Sequence, residues 1–161
     1  MATIALCRID SRLIHGQVVT KWVGQSQANR IVVVSDELDA DPFMKNIFMM
    51  AAPPNIKVDC YGIAEFCTQW TANQLGSGNV LVLFPNLVSI LRAVEGGFGV
   101  RQVQVGGLGG GPGRKAVFQN ITLDEPDTVT LRQLADHDIN IFFQTIPEDK
   151  PQPLADILKR L

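Results

Sequence analysis

The sequence predicts an α/β fold: one open, mostly parallel twisted β-sheet with helices on both faces and an antiparallel edge strand. Three observations predict it. Short runs rich in β-branched residues recur along the chain, and longer segments with apolar residues at helical spacing separate them. The short runs are nearly continuously apolar instead of alternating, as strands buried on both faces are. The third is the shortness of the connections, which suits repeated βα units. The 161 residues read as a single domain spanning 1–161, with no internal repeat or linker.

The elements follow in order. Strands are expected at TIALCRI (3–9), RIVVVS (30–35), IKVDCY (56–61), NVLVLF (79–84), VQV (103–105) and INIFFQT (139–145). A helix over 16–28 places Val18, Val19, Trp22 and Val23 on one face. One over 41–52 does the same with Phe43, Met44, Ile47 and Phe48, before Pro53 and Pro54 stop it. Further helices are expected over 63–75, 87–94, 127–137 and 153–161, with Pro126 and Pro153 where helix starts tolerate proline. The glycine-rich stretch VGGLGGGPGRKAVFQNITL interrupts the pattern and reads as a loop followed by a short strand at the sheet edge.

Composition bounds the function. A formal net charge of -2 leaves no basic footprint for nucleic acid. No apolar run approaches the roughly 20 residues that cross a bilayer, and MATIALCRID lacks the basic start of a signal peptide. Cys7, Cys60 and Cys67 are odd in number and lack paired metal spacing, which fits reduced, buried thiols in a cytosol.

The chemistry concentrates in RIDSRLIHGQV, residues 8–18. His15 follows the first strand and precedes the first helix, at the carboxyl edge of the sheet where ligands of such folds bind. The amides of Gly16, Gln17 and Val18 would open a helix N-terminus suited to an anion. Arg8 and Arg12 would add positive charge, and Asp10 would orient either an arginine fork or the imidazole. This set suits nucleophilic attack by histidine on a phosphoryl group. A free imidazole titrates near pH 6.5, and nearby arginines disfavour its charged form, keeping the lone pair available. The spacing equally allows a surface histidine beside a strand-end salt bridge, so pattern alone leaves both readings open.

CRIDSRLIHGQVVTKWV resembles the active-site signature of IIB subunits in the mannose/fructose/sorbose family of the bacterial phosphoenolpyruvate-dependent sugar phosphotransferase system. The likeness continues in order through IVVVSDELDADPFMKNIFMMAAPPNIKV, VLVLFPNLVSILRAVEGG and QVQVGGLGGGPGRKAVFQNITLDEPD to LADHDINIFFQTIPEDKPQPLADIL. The resemblance implies that His15 accepts a phosphoryl group on Nδ1 from a IIA partner and passes it to a sugar carried by IIC and IID membrane subunits. Such a protein is a cytoplasmic protein-phosphohistidine–sugar phosphotransferase, held at the inner membrane face through IIC and IID. The resemblance makes Arg12 the residue that steadies the phosphate, and Asp10 and Arg8 loop positions that shape the site. Ile14, Gly16, Gln17, Gly106 and Gly107 are the expected phosphate-binding positions. No metal, nucleotide or other cofactor is expected, and a homodimer is a further candidate assembly. The sugar leans to N-acetylgalactosamine or galactosamine over mannose, fructose or sorbose.

GGLGGGPGRK, residues 106–115, meets neither nucleotide fingerprint, because Arg114 follows Gly113 and Ala116 follows Lys115. A nucleotide-binding module and a purely regulatory phosphoprotein are the competing functions. Arg114 and Lys115 are candidates for contact with IIA or the phosphate. Ser35 and Asp36 read as a strand-end cap or an active-site edge. His137 reads as a helix end and not as a catalyst.

Overall fold

A computed structural model describes the backbone of residues 1–161 and every side chain except those of Gln17 and Val18. The strands and helices alternate as β1 (Thr3–Asp10), α1 (Gly16–Ser26), β2 (Arg30–Val34), α2 (Asp36–Asp39), α3 (Pro42–Met50), β3 (Lys57–Tyr61), α4 (Ile63–Asn73), β4 (Asn79–Phe84) and α5 (Leu87–Glu95). They continue with β5 (Gln102–Gly107), β6 (Lys115–Phe118), β7 (Ile121–Leu123), α6 (Glu125–Asp136), β8 (Asn140–Phe143), β9 (Gln152–Pro153) and α7 (Leu154–Leu158).

Local chemistry sets the helix starts. Ser35 Oγ accepts the Leu38 amide at 3.1 Å, Asp41 Oδ1 the Met44 amide at 3.1 Å, and Asn86 Oδ1 the Ser89 amide at 2.9 Å. Asp124 and Asp127 form a reciprocal capping box at α6. Ser35 is therefore a cap. Asp36 accepts the Ile63 amide at 2.8 Å and pairs with Arg92 at 3.2 Å, tying α4 and α5 to α2.

Seven strands form one sheet in the order β3-β2-β4-β1-β5-β8-β9, parallel except for β9 against β8. Residue alternation along each strand divides the interior in two. One core takes Cys7, Ile9, Val32, Val34, Val82 and Phe84 with Phe66 of α4, Ile90 of α5 and Leu131 and Leu134 of α6. The other takes Ile31, Val33, Leu81 and Leu83 with Val19 of α1, Leu38 of α2, Leu13 and Ile14. An edge-to-face aromatic cluster, with Phe66 4.8 Å from Phe98 and 5.7 Å from Phe84, fixes the first core.

Three expectations change. The segment after the glycine loop forms a separate two-stranded hairpin of β6 and β7, and the antiparallel edge strand is β9 instead. The helix expected over 41–52 is preceded by a single extra turn, α2. Finally, α3 buries no residue fully: Phe48 packs on the second core, but Phe43, Met44 and Ile47 stay exposed.

β1 places the functional loop. Its chain leaves toward β2, two places away in one direction, whereas β5, its neighbour on the other side, leads onward to β8. Connections that diverge from adjacent strands open a crevice at their carboxyl ends. Asp10 of β1 and Gly107 of β5 sit opposite each other at that point, and the Ser11 amide donates to the Gly107 carbonyl at 2.9 Å.

Candidate active site

The loop from Asp10 to His15 is wound tightly around the Asp10 carboxylate. The Arg12 backbone amide donates to Asp10 Oδ1 at 3.0 Å, and the Leu13 amide to the Asp10 carbonyl at 3.0 Å. Leu13 adopts φ 55, an uncommon left-handed conformation for a branched residue. It is held there by burial of Leu13 and Ile14 in the second core. Backbone strain of this kind persists only where the surroundings impose it. The chain then delivers His15 to the position before α1, where its side chain makes no cap bond to the helix.

Instead the imidazole turns to Asp10, with Nε2 3.0 Å from Oδ2. An ionised carboxylate only accepts, so Nε2 carries the proton, which in the neutral imidazole leaves the lone pair on Nδ1. The His15 side chain is 20% exposed, whereas that of Asp10 is 1% exposed. The ring is thus anchored on its inner nitrogen. The charged group bonded to it is the Asp10 carboxylate, which takes both roles the sequence allowed it, the imidazole and the arginines.

Arg8 is the larger departure. It lies beneath the rim, 1% exposed, on the sheet face covered by α1. Its guanidinium donates to Gln104 Oε1, to the Gln144 carbonyl at 3.1 Å, to the Thr145 carbonyl at 3.0 Å and to Asp10 Oδ2 at 3.3 Å. The Trp22 ring of α1 lies over it, 5.3 Å from Cζ to centroid, and Trp22 Nε1 donates to the Thr145 carbonyl at 3.0 Å. Burial lowers the Arg8 pKa to about 10, against the opposing attraction of Asp10. Arg8 therefore supports Asp10 from below and has no surface for a ligand. Arg12 is different: its side chain is 49% exposed and only loosely paired, with Nε 3.5 Å from Asp10 Oδ1.

The glycines serve this packing. A Cβ on Gly106 would stand 2.0 Å from Arg8 Cζ, and one on Gly107 would stand 3.0 Å from Asp10 Oδ1. Their close approach is to the arginine and the aspartate, where the sequence reading had expected a phosphate. Ile14 is likewise a core residue, 8% exposed. Gly16, with φ 40 and open space around it, leaves the ring accessible. The expected role of the Gln17 side chain lies outside the described residues. Arg114 is committed elsewhere: it bonds Thr122 Oγ1 at 2.8 Å, Asp124 at 2.9 Å and Asp127 at 2.6 Å, clipping the glycine loop to α6.

Gln104, Gln144, Trp22 and Thr145 belong to the support and were not anticipated as such. The signal for one was present, since Gln104 is a polar residue inside the apolar run VQV. Two recesses flank the loop. One of about 320 Å³ is bordered by Ser11, Arg12, Gln119 and Asn120, and one of about 220 Å³ by Leu13, Met44 and Phe48 together with Ser11, Glu37 and Asp41.

Comparison with known proteins shows the family. Residues 4–161 match the family described as PTS system sorbose subfamily IIB component. The PTS system mannose-specific EIIAB component of Escherichia coli (strain K12) is 32% identical over 98% of this chain and 49% of that protein. The chain thus spans about half the length of the EIIAB proteins it matches. The PTS system sorbose-specific EIIB component of Lacticaseibacillus casei is 30% identical, covering 98% of this chain and 94% of that one. Among solved structures, manxB from Thermoanaerobacter tengcongensis superposes with a TM-score of 0.91 at 35% identity, covering 99% of this chain and 96% of that one. The IIBSor domain of the sorbose permease from Klebsiella pneumoniae superposes with 0.91 at 29% identity, covering 98% and 96%. With a family match running from residue 4 to 161, the chain belongs to the sorbose-subfamily IIB components of the PTS system.

Proposed function

We propose that the chain is a phosphohistidine relay in sugar uptake. His15 accepts a phosphoryl group from the histidine of a IIA partner and donates it to a sugar carried by IIC and IID membrane subunits. The observation that carries the proposal is the Asp10–His15 pair, which holds Nε2 at 3.0 Å from a buried carboxylate and leaves Nδ1 as the nucleophile at the sheet rim.

In the first transfer the Nδ1 lone pair attacks phosphorus as the donor N–P bond breaks, and the electron pair of that bond stays on the donor imidazole. Asp10 stabilises the Nε2–H of the ring as charge shifts onto it. Arg12, the exposed cation of the loop, meets the roughly two negative charges of the phosphoryl group, and α1 starts directly after His15, where helix amides favour an anion. In the second transfer a sugar hydroxyl oxygen attacks phosphorus, the N–P bond to His15 breaks and the hydroxyl proton is released. His15 recovers its Nδ1 lone pair. Both steps rest on positioning and charge stabilisation, so a rigidly braced loop suits them.

The chain works on the cytoplasmic side of the membrane in this reading, as a protein-phosphohistidine–sugar phosphotransferase. The sugar is a hexose or hexosamine, the class that the names of its mannose-, fructose-, sorbose- and N-acetylgalactosamine-specific relatives span. Identities of 28–32% across those four do not single out the N-acetylgalactosamine toward which the sequence leaned.

The test is reconstitution of phosphorylated IIA, this chain and vesicles bearing IIC and IID, with sugar phosphate as the readout. Product is expected with the native chain and none with His15→Ala. Equal product from His15→Ala would overturn the proposal.

A further inference from the structure

The helix α3 carries an apolar surface that the fold does not use. Nine large apolar side chains are exposed among the described residues, and five of them lie on this nine-residue helix. They are Phe43 at 74%, Met44 at 38%, Ile47 at 44%, Met49 at 43% and Met50 at 77%. Helical spacing brings Phe43, Ile47 and Met50 onto one outward stripe, flanked by Met44 and then by Phe48, which turns inward to the core. Concentration on one short element distinguishes this patch from the isolated exposed valines elsewhere, Val88 and Val129.

Two features say what covers it. The patch is continuous with the active-site loop, because Met44 and Phe48 line the same recess as Ser11 and Leu13. A protein seated on α3 therefore also reaches the rim where His15 stands. The surround is acidic: residues 36–50 hold Asp36, Glu37, Asp39 and Asp41 against one cation, Lys45, and although Arg92 reaches across to pair with Asp36, Glu37 and Asp41 have no ion-pair partner among the described residues. Lys45 is already paired with Asp39 at 2.7 Å. The complement of an apolar stripe with an acidic border is an apolar groove with a basic border. Cytoplasmic loops of membrane proteins are enriched in Lys and Arg, so a basic-bordered groove is the chemistry to expect on the cytoplasmic face of IIC/IID. A bare bilayer does not fit, because its anionic inner leaflet repels this carboxylate cluster.

We infer that α3, with the acidic turn α2 before it, docks this chain onto the cytoplasmic face of the IIC/IID subunits. The inference rests on the relay reading and names the surface that reading needs. It also separates two contacts: α3 holds the acceptor complex, while the Arg12 side of the loop stays open to IIA.

The experiment uses the full chain with IIC/IID in nanodiscs, and compares the native protein with Phe43→Ser/Met50→Ser and with Glu37→Lys. The substituted residues are exposed, and thermal melts identify any variant that has lost its fold. The double variant is expected to bind IIC/IID roughly ten-fold or more weakly and Glu37→Lys measurably more weakly, both at the native rate of His15 phosphorylation by phosphorylated IIA. Unchanged binding of the double variant overturns the inference. So does an equal loss of phosphorylation by IIA, which would give the face to that partner. Native binding to empty anionic nanodiscs as tight as to IIC/IID, or a native dimer abolished by the double substitution in sedimentation, also overturns it. Failure of the native chain to bind IIC/IID at all would instead strike the relay reading itself.

Discussion

At His15 the decisive neighbour is a buried carboxylate. Asp10 accepts from His15, Arg8 and both the backbone and the side chain of Arg12. It therefore orients the imidazole and neutralises a buried guanidinium at once. Asp10→Asn keeps the shape and loses the charge. Its expected cost in the rate of His15 phosphorylation is roughly 10²–10⁴-fold, through the misassigned tautomer. Its expected cost in stability is about 3–5 kcal/mol, because Arg8 is left without a counter-charge. Arg12→Ala should separate the two effects: phosphorylation slows, while stability in urea changes by no more than about 0.5 kcal/mol, as for an exposed side chain. Rapid-quench labelling and urea titration of the two variants check the pair. An Arg12→Ala protein as destabilised as Asp10→Asn would mean that the exposed arginine braces the loop.

Among the elements, α4 anchors the first core through Phe66 and Trp70, which pack edge-to-face on Phe84 of β4 and Phe98 of the loop after α5. Phe66 is 0% exposed, so Phe66→Ala should cost about 3–5 kcal/mol in urea unfolding, and a loss below 1 kcal/mol would show that the aromatic cluster collapses around the gap. The central strands were legible because each is short, apolar and β-branched: the expected 79–84 is β4 itself. What escaped were elements whose signal is not periodicity. α2 is one turn made by the Ser35 cap. The β6–β7 hairpin turns at Gln119 with φ 45, without the glycine that announces such turns. The apolar spacing of α3 was read correctly, but periodicity does not say whether a stripe faces the core or a partner. The site shows the same division. His15, Asp10 and Arg12 were legible from their order around a strand end. The descent of Arg8 beneath the rim was not, because it depends on Gln104, Gln144 and Thr145, up to 137 residues away.

For the whole molecule, the sheet order sets where chemistry happens, and burial sets its response to pH. Cys7, Cys60 and Cys67 all have thiol pKa values raised from the ordinary 9.0 by burial. Above pH 9.0 the unfolded chain releases these protons while the folded chain retains them. The folded state then binds more protons, so stability falls as pH rises from that point and is unaffected by the thiols below it. Comparing native protein with Cys7→Ala by urea unfolding at pH 8 and pH 10 isolates the largest contributor. The native protein should lose more stability than the variant across that step, and equal losses would contradict the burial argument.

The central claim is that Asp10 holds Nε2 and leaves Nδ1 to take the phosphoryl group. The direct measurement is ³¹P NMR of the chain after incubation with phosphorylated IIA, with histidine ring correlations to identify the bonded nitrogen. A single phosphohistidine is expected, at His15 and bonded through Nδ1. Phosphorus on Nε2 of His15, or on any other residue, would contradict it.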